Sequence, residues 1–177
     1  MKVLVVVDMQ NDFIDGALGT PEARAIVPNV AAKVAEYSNE DGIIIFTRDT
    51  HEENYLDTSE GKHLPVKHCI HQTHGWEISK DVYTPFYSYI LDKPTFGSVE
   101  LSGAIGRALR NRGAWGVESI ELCGVCTDIC VISNALILKA DYIEVPIIVD
   151  SSCCAGVTPA KHEAALEVMR SCQIDVK

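Results

Sequence analysis

Residues Lys2 to Val7 form an unbroken, largely β-branched run that stops at the polar segment Asp8-Met9-Gln10-Asn11-Asp12. An apolar run of that length without alternating polar positions is the pattern of a strand buried on both faces, which belongs in a parallel sheet covered by helices. Asp8 then lies at the carboxyl end of that strand. The apolar part, Val3 to Val7, is too short for a membrane span or a signal-peptide core, so a cytoplasmic chain without a membrane partner is expected.

The rest of the chain repeats the theme. Pro21 to Tyr37 carries Ile26, Val27, Val30, Val34 and Tyr37 at helical spacings, and Ile43 to Phe46 is the next short apolar strand, which completes a βαβ unit. From Thr47 to Lys93 the periodicity fades into a polar, histidine-rich excursion with a short helix near Trp76 and a strand at Tyr87 to Leu91. Long excursions of this kind carry function. Val99 to Asn111 reads as a helix ending at Gly113, Glu118 to Cys123 as a strand and Thr127 to Lys139 as a helix. Tyr142 to Val149 reads as a strand made irregular by Pro146, and Pro159 to Arg170 as a final amphipathic helix. The alternation predicts an α/β fold: one domain over residues 1–177, a parallel sheet sandwiched by helices on both faces in three layers, with right-handed crossovers. Ligands bind such sheets at the carboxyl ends of the strands, where Asp8, Thr47 to His51, Lys93, Gly124 to Cys130 and Asp150 to Cys154 are expected to converge.

Fifteen basic against twenty-five acidic residues give a formal charge of −10, which repels nucleic-acid phosphates and anionic membrane surfaces. A small molecule is the expected partner. The seven cysteines are odd in number and unevenly spaced, so thiols rather than a disulfide framework are expected.

Three constellations can carry chemistry. In Leu122 to Val131 a strand passes through Gly124 into a helix whose first turn holds Cys130, where the helix dipole and free N–H groups favour a thiolate and offer donors to an oxyanion. The competing reading makes Cys123, Cys126 and Cys130 small core residues, and a zinc or iron–sulfur site is disfavoured because no second paired-cysteine knuckle exists. Asp8 and Lys93 each end a strand. A carboxylate beside a thiol can take its proton, and an ammonium can hold the resulting anion. With the cation and the helix terminus favouring the thiolate and outweighing the opposing Asp8 carboxylate, the thiol is expected to titrate well below its ordinary value of about 8.5. Finally, Asp49-Thr50-His51 places a carboxylate and an imidazole two residues apart, and His68 completes a mixed oxygen and nitrogen set suited to zinc, manganese or iron, with Glu60 as a candidate further oxygen. His63, His71 and His74 read as surface residues.

Taken together, the segments Val7 to Phe13, Asp49 to His51, Pro65 to Cys69, Lys93 to Ser98 and Gly124 to Val131 resemble, in that order, the cysteine hydrolases of the isochorismatase-like superfamily, and within it the nicotinamidases. The resemblance spans nearly the whole chain. It implies a catalytic triad of Asp8, Lys93 and Cys130, metal ligands Asp49, His51 and His68 with Glu60 completing the set in some relatives, and a homo-oligomer. It also implies a cis peptide before Cys126 that aims the N–H groups of Cys126 and Cys130 into one oxyanion hole. The implied reaction is hydrolysis of a small carboxamide, nicotinamide first, to an acid and ammonia through a thioester. Cys126 departs from the family's usual alanine. Leu64 stands where nicotinamidases carry an aromatic residue, with one extra residue before His68. Phe13 matches an aromatic pocket residue of the family, and Phe96 or Tyr87 would supply another wall. Other small amide, ureido or enol-ether substrates are the alternatives within the family. Outside it, a dinucleotide-binding oxidoreductase lacks its glycine fingerprint, and a non-catalytic metal or redox module is the remaining rival.

Overall fold

The computed structural model describes residues 1–82 and 84–177. Its strands are β1 (Lys2–Val7), β2 (Ile43–Asp49), β3 (Tyr89–Lys93), β4 (Ser119–Val125), β5 (Ile147–Ala155) and β6 (Asp175–Val176). They form one parallel sheet in the order β3-β2-β1-β4-β5-β6. The first strand is central, and Val3 to Val7 are all fully buried, as a run without polar alternation requires. Because β2 and β4 lie on opposite sides of β1, the chain reverses its direction of progress there. A crevice opens at the carboxyl ends of such strands.

Among the described residues there are six α-helices: α1 (Asn11–Ile14), α2 (Pro21–Asn39), α3 (Ser59–His63), α4 (Leu101–Asn111), α5 (Ile132–Asp141) and α6 (Pro159–Ser171). The long helix α2 starts at Thr20, whose Oγ1 accepts from Ala23 N at 3.0 Å, with Pro21 at its first position. Its stripe of Ala23, Ile26, Val27, Val30, Val34 and Tyr37 packs on β1, β2, β4 and β5. The helices α4, α5 and α6 pack against one another and cover the opposite face, giving the three layers. No helix among the described residues is long and apolar enough to cross a membrane.

Several elements depart from the sequence reading, each for a local reason. The strand expected at Tyr142 to Val149 runs instead from Ile147 to Ala155, because Pro146 cannot donate to the ladder and contributes only its carbonyl, which accepts from Ile120 N at 3.0 Å. Its polar middle is tolerated because the Asp150 carboxylate pairs with Lys33 at 2.9 Å. Only the far end of the Asp150 to Cys154 segment reaches the carboxyl edge: Asp150 lies mid-strand and faces α2, whereas Cys154 pairs in register with Gly124 and, like Cys153, is buried. The edge strand runs to Lys93, with Asp49 and Lys93 as register partners. The helix expected from Thr127 begins with a π turn, Thr127–Val131, before α5. The element near Trp76 is a single 3-10 turn, His74–Trp76. At the end of β4, Gly124 has φ +116°, and a Cβ there would lie 2.0 Å from the carbonyl oxygen of Val7, so only glycine lets β4 approach β1.

Candidate active site

Three side chains that the sequence brings to three different strand ends meet in one buried cluster. Asp8 is the first residue beyond β1 and has φ +50°, with its N–H donating to Thr47 O at 3.2 Å and its Oδ1 accepting from Thr47 Oγ1 at 2.7 Å. Lys93 stands two strands away, roughly 9–10 Å at sheet spacing. Its stem spans that gap, fully buried, and brings Nζ to 2.6 Å from Asp8 Oδ2, 3.7 Å from Cys130 Sγ and 3.8 Å from Asp49 Oδ1. Cys130 sits in the π turn. The Val125–Cys126 peptide is cis, and the carbonyl of Cys126 accepts from both Ile129 N and Val131 N, at 3.0 and 3.1 Å. Asn134, wholly buried, locks this turn to the segment after Lys93: its Nδ2 donates to Cys130 O at 2.8 Å and its Oδ1 accepts from Ser98 N at 2.9 Å.

The electrostatics reverse the expectation for the thiol. Burial pushes the Cys130 thiol well above its ordinary range and the Asp8 charge adds to this, while Lys93 only partly opposes them. Burial likewise raises the Asp8 carboxyl against the pull of Lys93. Burial also works against the Lys93 charge, but Asp8, Cys130 and Asp49 overcome it and hold the ammonium charged. Burial thus favours the protonated thiol, beside a lysine held charged. Sequence counted the helix terminus and the cation but contained no measure of desolvation. Alkylation of Cys130 by iodoacetamide, followed by peptide mass mapping, is accordingly expected to rise with pH only above the ordinary thiol value of about 8.5. Lys93→Met, which removes the cation, should move that rise further up; an alkylation midpoint below about 8.5 in the wild type would contradict the assignment.

Beside the cluster, Asp49, His51, Glu60 and His68 turn one donor atom each toward a common point, all within 4.8 Å of one another. Asp49 Oδ2 lies 2.9 Å from His51 Nε2 and 3.4 Å from His68 Nε2, and Glu60 Oε1 lies 3.6 and 3.8 Å from the same two nitrogens. Donors around a divalent ion with bonds of about 2.1 Å sit roughly 3.0–3.4 Å apart, so the spacing fits a metal with little adjustment. His68 Nδ1 donates to Val66 O at 2.8 Å, which leaves the Nε2 lone pair facing the point. Despite burial, the two imidazoles and Lys93 hold the Asp49 carboxyl well below the usual carboxylate range.

Supporting groups that sequence motifs could not assign hold this set in place. Gln10, fully buried, clamps the Asp49 backbone from both sides: its Oε1 accepts from Asp49 N at 2.7 Å and its Nε2 donates to Asp49 O at 2.8 Å. Asp12 Oδ2 accepts from Cys69 N at 2.8 Å and so fixes the turn after His68. Tyr55, also fully buried, has its ring centroid 4.6 Å from that of His51 and 5.0 Å from that of His68, and donates to Leu64 O at 2.9 Å.

Cys130 of the cluster, together with Asp49, Glu60 and His68, lines one cavity of about 290 Å³. Phe13, Leu64 and Phe96 line it, as do Cys126 and Cys130. Tyr87 does not: its hydroxyl contacts Ser38 at the end of α2. His63, His71 and His74 are exposed. The sequence reading missed Leu18, Val157 and Lys161, which reach the cavity from a loop and from the opposite wall at α6.

A family model described as "Isochorismatase domain" matches residues 2–176. The chain is 27% identical to the nicotinamidase/pyrazinamidase of Mycobacterium tuberculosis over 99% of its own length and 98% of the relative's. It is 25% identical to the nicotinamidase of Schizosaccharomyces pombe, covering 98% of this chain and 91% of that one. Among solved structures it is similar to the pyrazinamidase of Pyrococcus horikoshii in complex with zinc, with TM-score 0.81 and 31% identity over 99% of this chain and 98% of that chain.

Proposed function

The chain belongs to the isochorismatase family, and from that premise we propose that it is a cysteine amidohydrolase that cleaves a small carboxamide, nicotinamide foremost, to the acid and ammonia. The observation that carries this reading is the meeting of Asp8, Lys93 and Cys130: one ammonium 2.6 Å from the carboxylate and 3.7 Å from the sulfur, with Cys130 lining a cavity. Asp8 Oδ2 pairs with Lys93 Nζ at 2.6 Å, and a carboxylate oxygen in such a pair keeps a lone pair for an incoming proton.

Cys130 Sγ attacks the amide carbonyl carbon as its proton passes to Asp8. The carbonyl oxygen takes up the electron pair, and the N–H groups of Cys126 and Cys130 would hold it. When the oxygen returns the pair, the C–N bond breaks, Asp8 gives its proton to the nitrogen, and ammonia leaves a thioester on Cys130. Water, giving a proton to Asp8, then attacks the thioester carbon; the C–S bond breaks and the sulfur regains its proton. Lys93 stays charged throughout and steadies whichever of Asp8 and Cys130 carries the negative charge. Its burial excludes water, so this ion pair acts at low dielectric.

Asp49, His51, Glu60 and His68 would hold a divalent ion, and two imidazoles with two carboxylates suit zinc, manganese or iron. Once bound, such an ion supplies a Lewis-acidic point at the cavity wall for a ring nitrogen or for ordered water. Asp49→Ala combined with His51→Ala is expected to take metal content, measured by mass spectrometry after dialysis, from about one ion per chain to none. Alkylation of Cys130 should persist in that variant. Stoichiometric metal in the double variant would refute the ligand set.

Leu64 lines the cavity where an aromatic wall would stack on a pyridine ring, which favours as a second reading a non-aromatic amide or ureido substrate. The deciding assay is release of ammonia and acid from nicotinamide and a panel of small carboxamides. Equal amounts of the two products from nicotinamide support the first reading, and release from other amides alone supports the second. No release from any of them would return the chain to the non-catalytic metal or redox module.

A further inference from the structure

We infer that Asn134 is a positioning residue for two sides of the cavity at once, setting the nucleophile turn with one amide hydrogen and the Phe96 wall with the rest of its carboxamide. The inference rests on the amidohydrolase reading and adds what keeps thiol and substrate wall in register. Asn134 is wholly buried on α5. Ser98 N can only donate, so the Asn134 atom 2.9 Å from it is Oδ1, and Nδ2 then faces two carbonyls, Cys130 O at 2.8 Å and Phe96 O at 3.3 Å. Both polar atoms of the amide are engaged, as burial demands.

One of those carbonyls belongs to the nucleophile itself. In the π turn the backbone donors are displaced by one residue, with Ile132 N reaching Thr127 O. Side chains of α5 reach back to the turn's carbonyls: Ser133 Oγ donates to Ile129 O at 2.6 Å and Asn134 Nδ2 to Cys130 O. Holding that carbonyl holds the backbone from which Cys130 Sγ stands 3.7 Å from Lys93 Nζ.

The other carbonyl belongs to the wall. Pro94 to Ser98 join β3 to α4 without regular structure, and Phe96 in this segment lines the cavity. Thr95 Oγ1 donates to Gly97 O at 2.7 Å, a bond internal to the segment. At Gly97 the segment lies so close to α5 that a Cβ would stand 3.0 Å from Ser133 Cβ and 2.7 Å from Ile137 Cδ1. Among the described residues, Asn134 supplies the hydrogen bonds that tie this segment to α5. A thiol and a wall carried by different elements must both meet one small amide, and a misplacement of about 1 Å costs up to about 10²-fold in rate.

Asn134→Thr and Asn134→Val have the same shape, and both release Ser98 and Phe96. Only the hydroxyl of the first can still donate to the carbonyl four residues back, that of Cys130. On the carboxamide the wild type turns over best, both variants are expected to raise KM about five-fold or more. Asn134→Thr should keep kcat within about three-fold of wild type, and Asn134→Val should lower it about ten-fold or more. A purely structural role would instead lower kcat with the folded fraction and leave KM alone. Gly97→Ala displaces the wall without touching Asn134, so it should raise KM at unchanged kcat, and it keeps the wall testable in case Asn134→Val does not fold. The rate of Cys130 alkylation by iodoacetamide at one fixed pH reads the turn without turnover: it should match wild type in Asn134→Thr and differ about five-fold or more in Asn134→Val. Equal kcat in folded Asn134→Thr and Asn134→Val, or a wild-type KM in both Asn134→Thr and Gly97→Ala, would overturn the inference. The expected alkylation difference in a protein that hydrolyses no amide would support the positioning of the thiol and sink the amidohydrolase reading instead.

Discussion

Replacing Cys130 by alanine is expected to lower kcat for amide hydrolysis by at least about 10⁴-fold, a loss on the order of 5 kcal/mol of transition-state stabilisation. Without the sulfur no thioester forms, and the residual rate is what the cavity can do by holding the amide against water. The fold should survive. The substitution removes one atom from a residue whose backbone is held by Asn134, and it leaves the Asp8–Lys93 ion pair intact, so no buried charge loses its partner. A shift in Tm of a few degrees, read by calorimetry, is the expected cost. Cys126→Ala should keep most activity, since the proposed mechanism uses only its backbone N–H. A dead Cys126→Ala beside an active Cys130→Ala would reverse the roles of the two thiols.

The second large effect is at Asp8. Asparagine preserves the shape of the side chain and can still accept from Thr47 Oγ1, yet it cannot take the thiol's proton or return one to the departing ammonia, and kcat should fall by about 10²–10⁴-fold or more. Asp8→Asn also strands Lys93, which is only 1% exposed and whose next carboxylate, Asp49, is 3.8 Å away. Breaking a buried pair by removing one partner costs about 3–5 kcal/mol. The double variant Asp8→Asn with Lys93→Met removes both charges, so it should recover part of the lost stability and none of the activity. Stability by chemical denaturation and turnover by ammonia release separate the two roles. A double variant that regained turnover together with stability would show that the pair is architectural.

Which parts were legible in the sequence follows from where each signal lives. Asp8, Asp49 and Lys93 each follow directly on, or end, an apolar strand run, so the sheet's own pattern places them at its carboxyl edge. Cys130 follows the glycine that lets β4 pass close to β1. Glu60 is a candidate from its place among the histidines, but Tyr55 sits in a short turn without periodicity, and only the folded excursion brings it to His51 and His68. The strand β5 hid behind its polar middle, because the lysine that neutralises Asp150 comes from α2, more than a hundred residues earlier. Lys161 reads as one more charge on an amphipathic helix until α6 is placed against the nucleophile turn. The thiol's titration failed for a similar reason: fixed charges can be counted along a chain, whereas the burial that outweighs them exists only after folding.

The covalent intermediate on Cys130 is the centre of the account, and partitioning of product with hydroxylamine tests it most directly. A thioester formed from nicotinamide and the same thioester formed from methyl nicotinate have lost their different leaving groups, so hydroxylamine and water must divide them in one ratio. The account predicts hydroxamate from both substrates, with the same hydroxamate-to-acid ratio at each hydroxylamine concentration, and none with Cys130→Ala. A ratio that differs between the amide and the ester, or acid formed without any hydroxamate at high hydroxylamine, would contradict it by showing that water attacks the substrate itself.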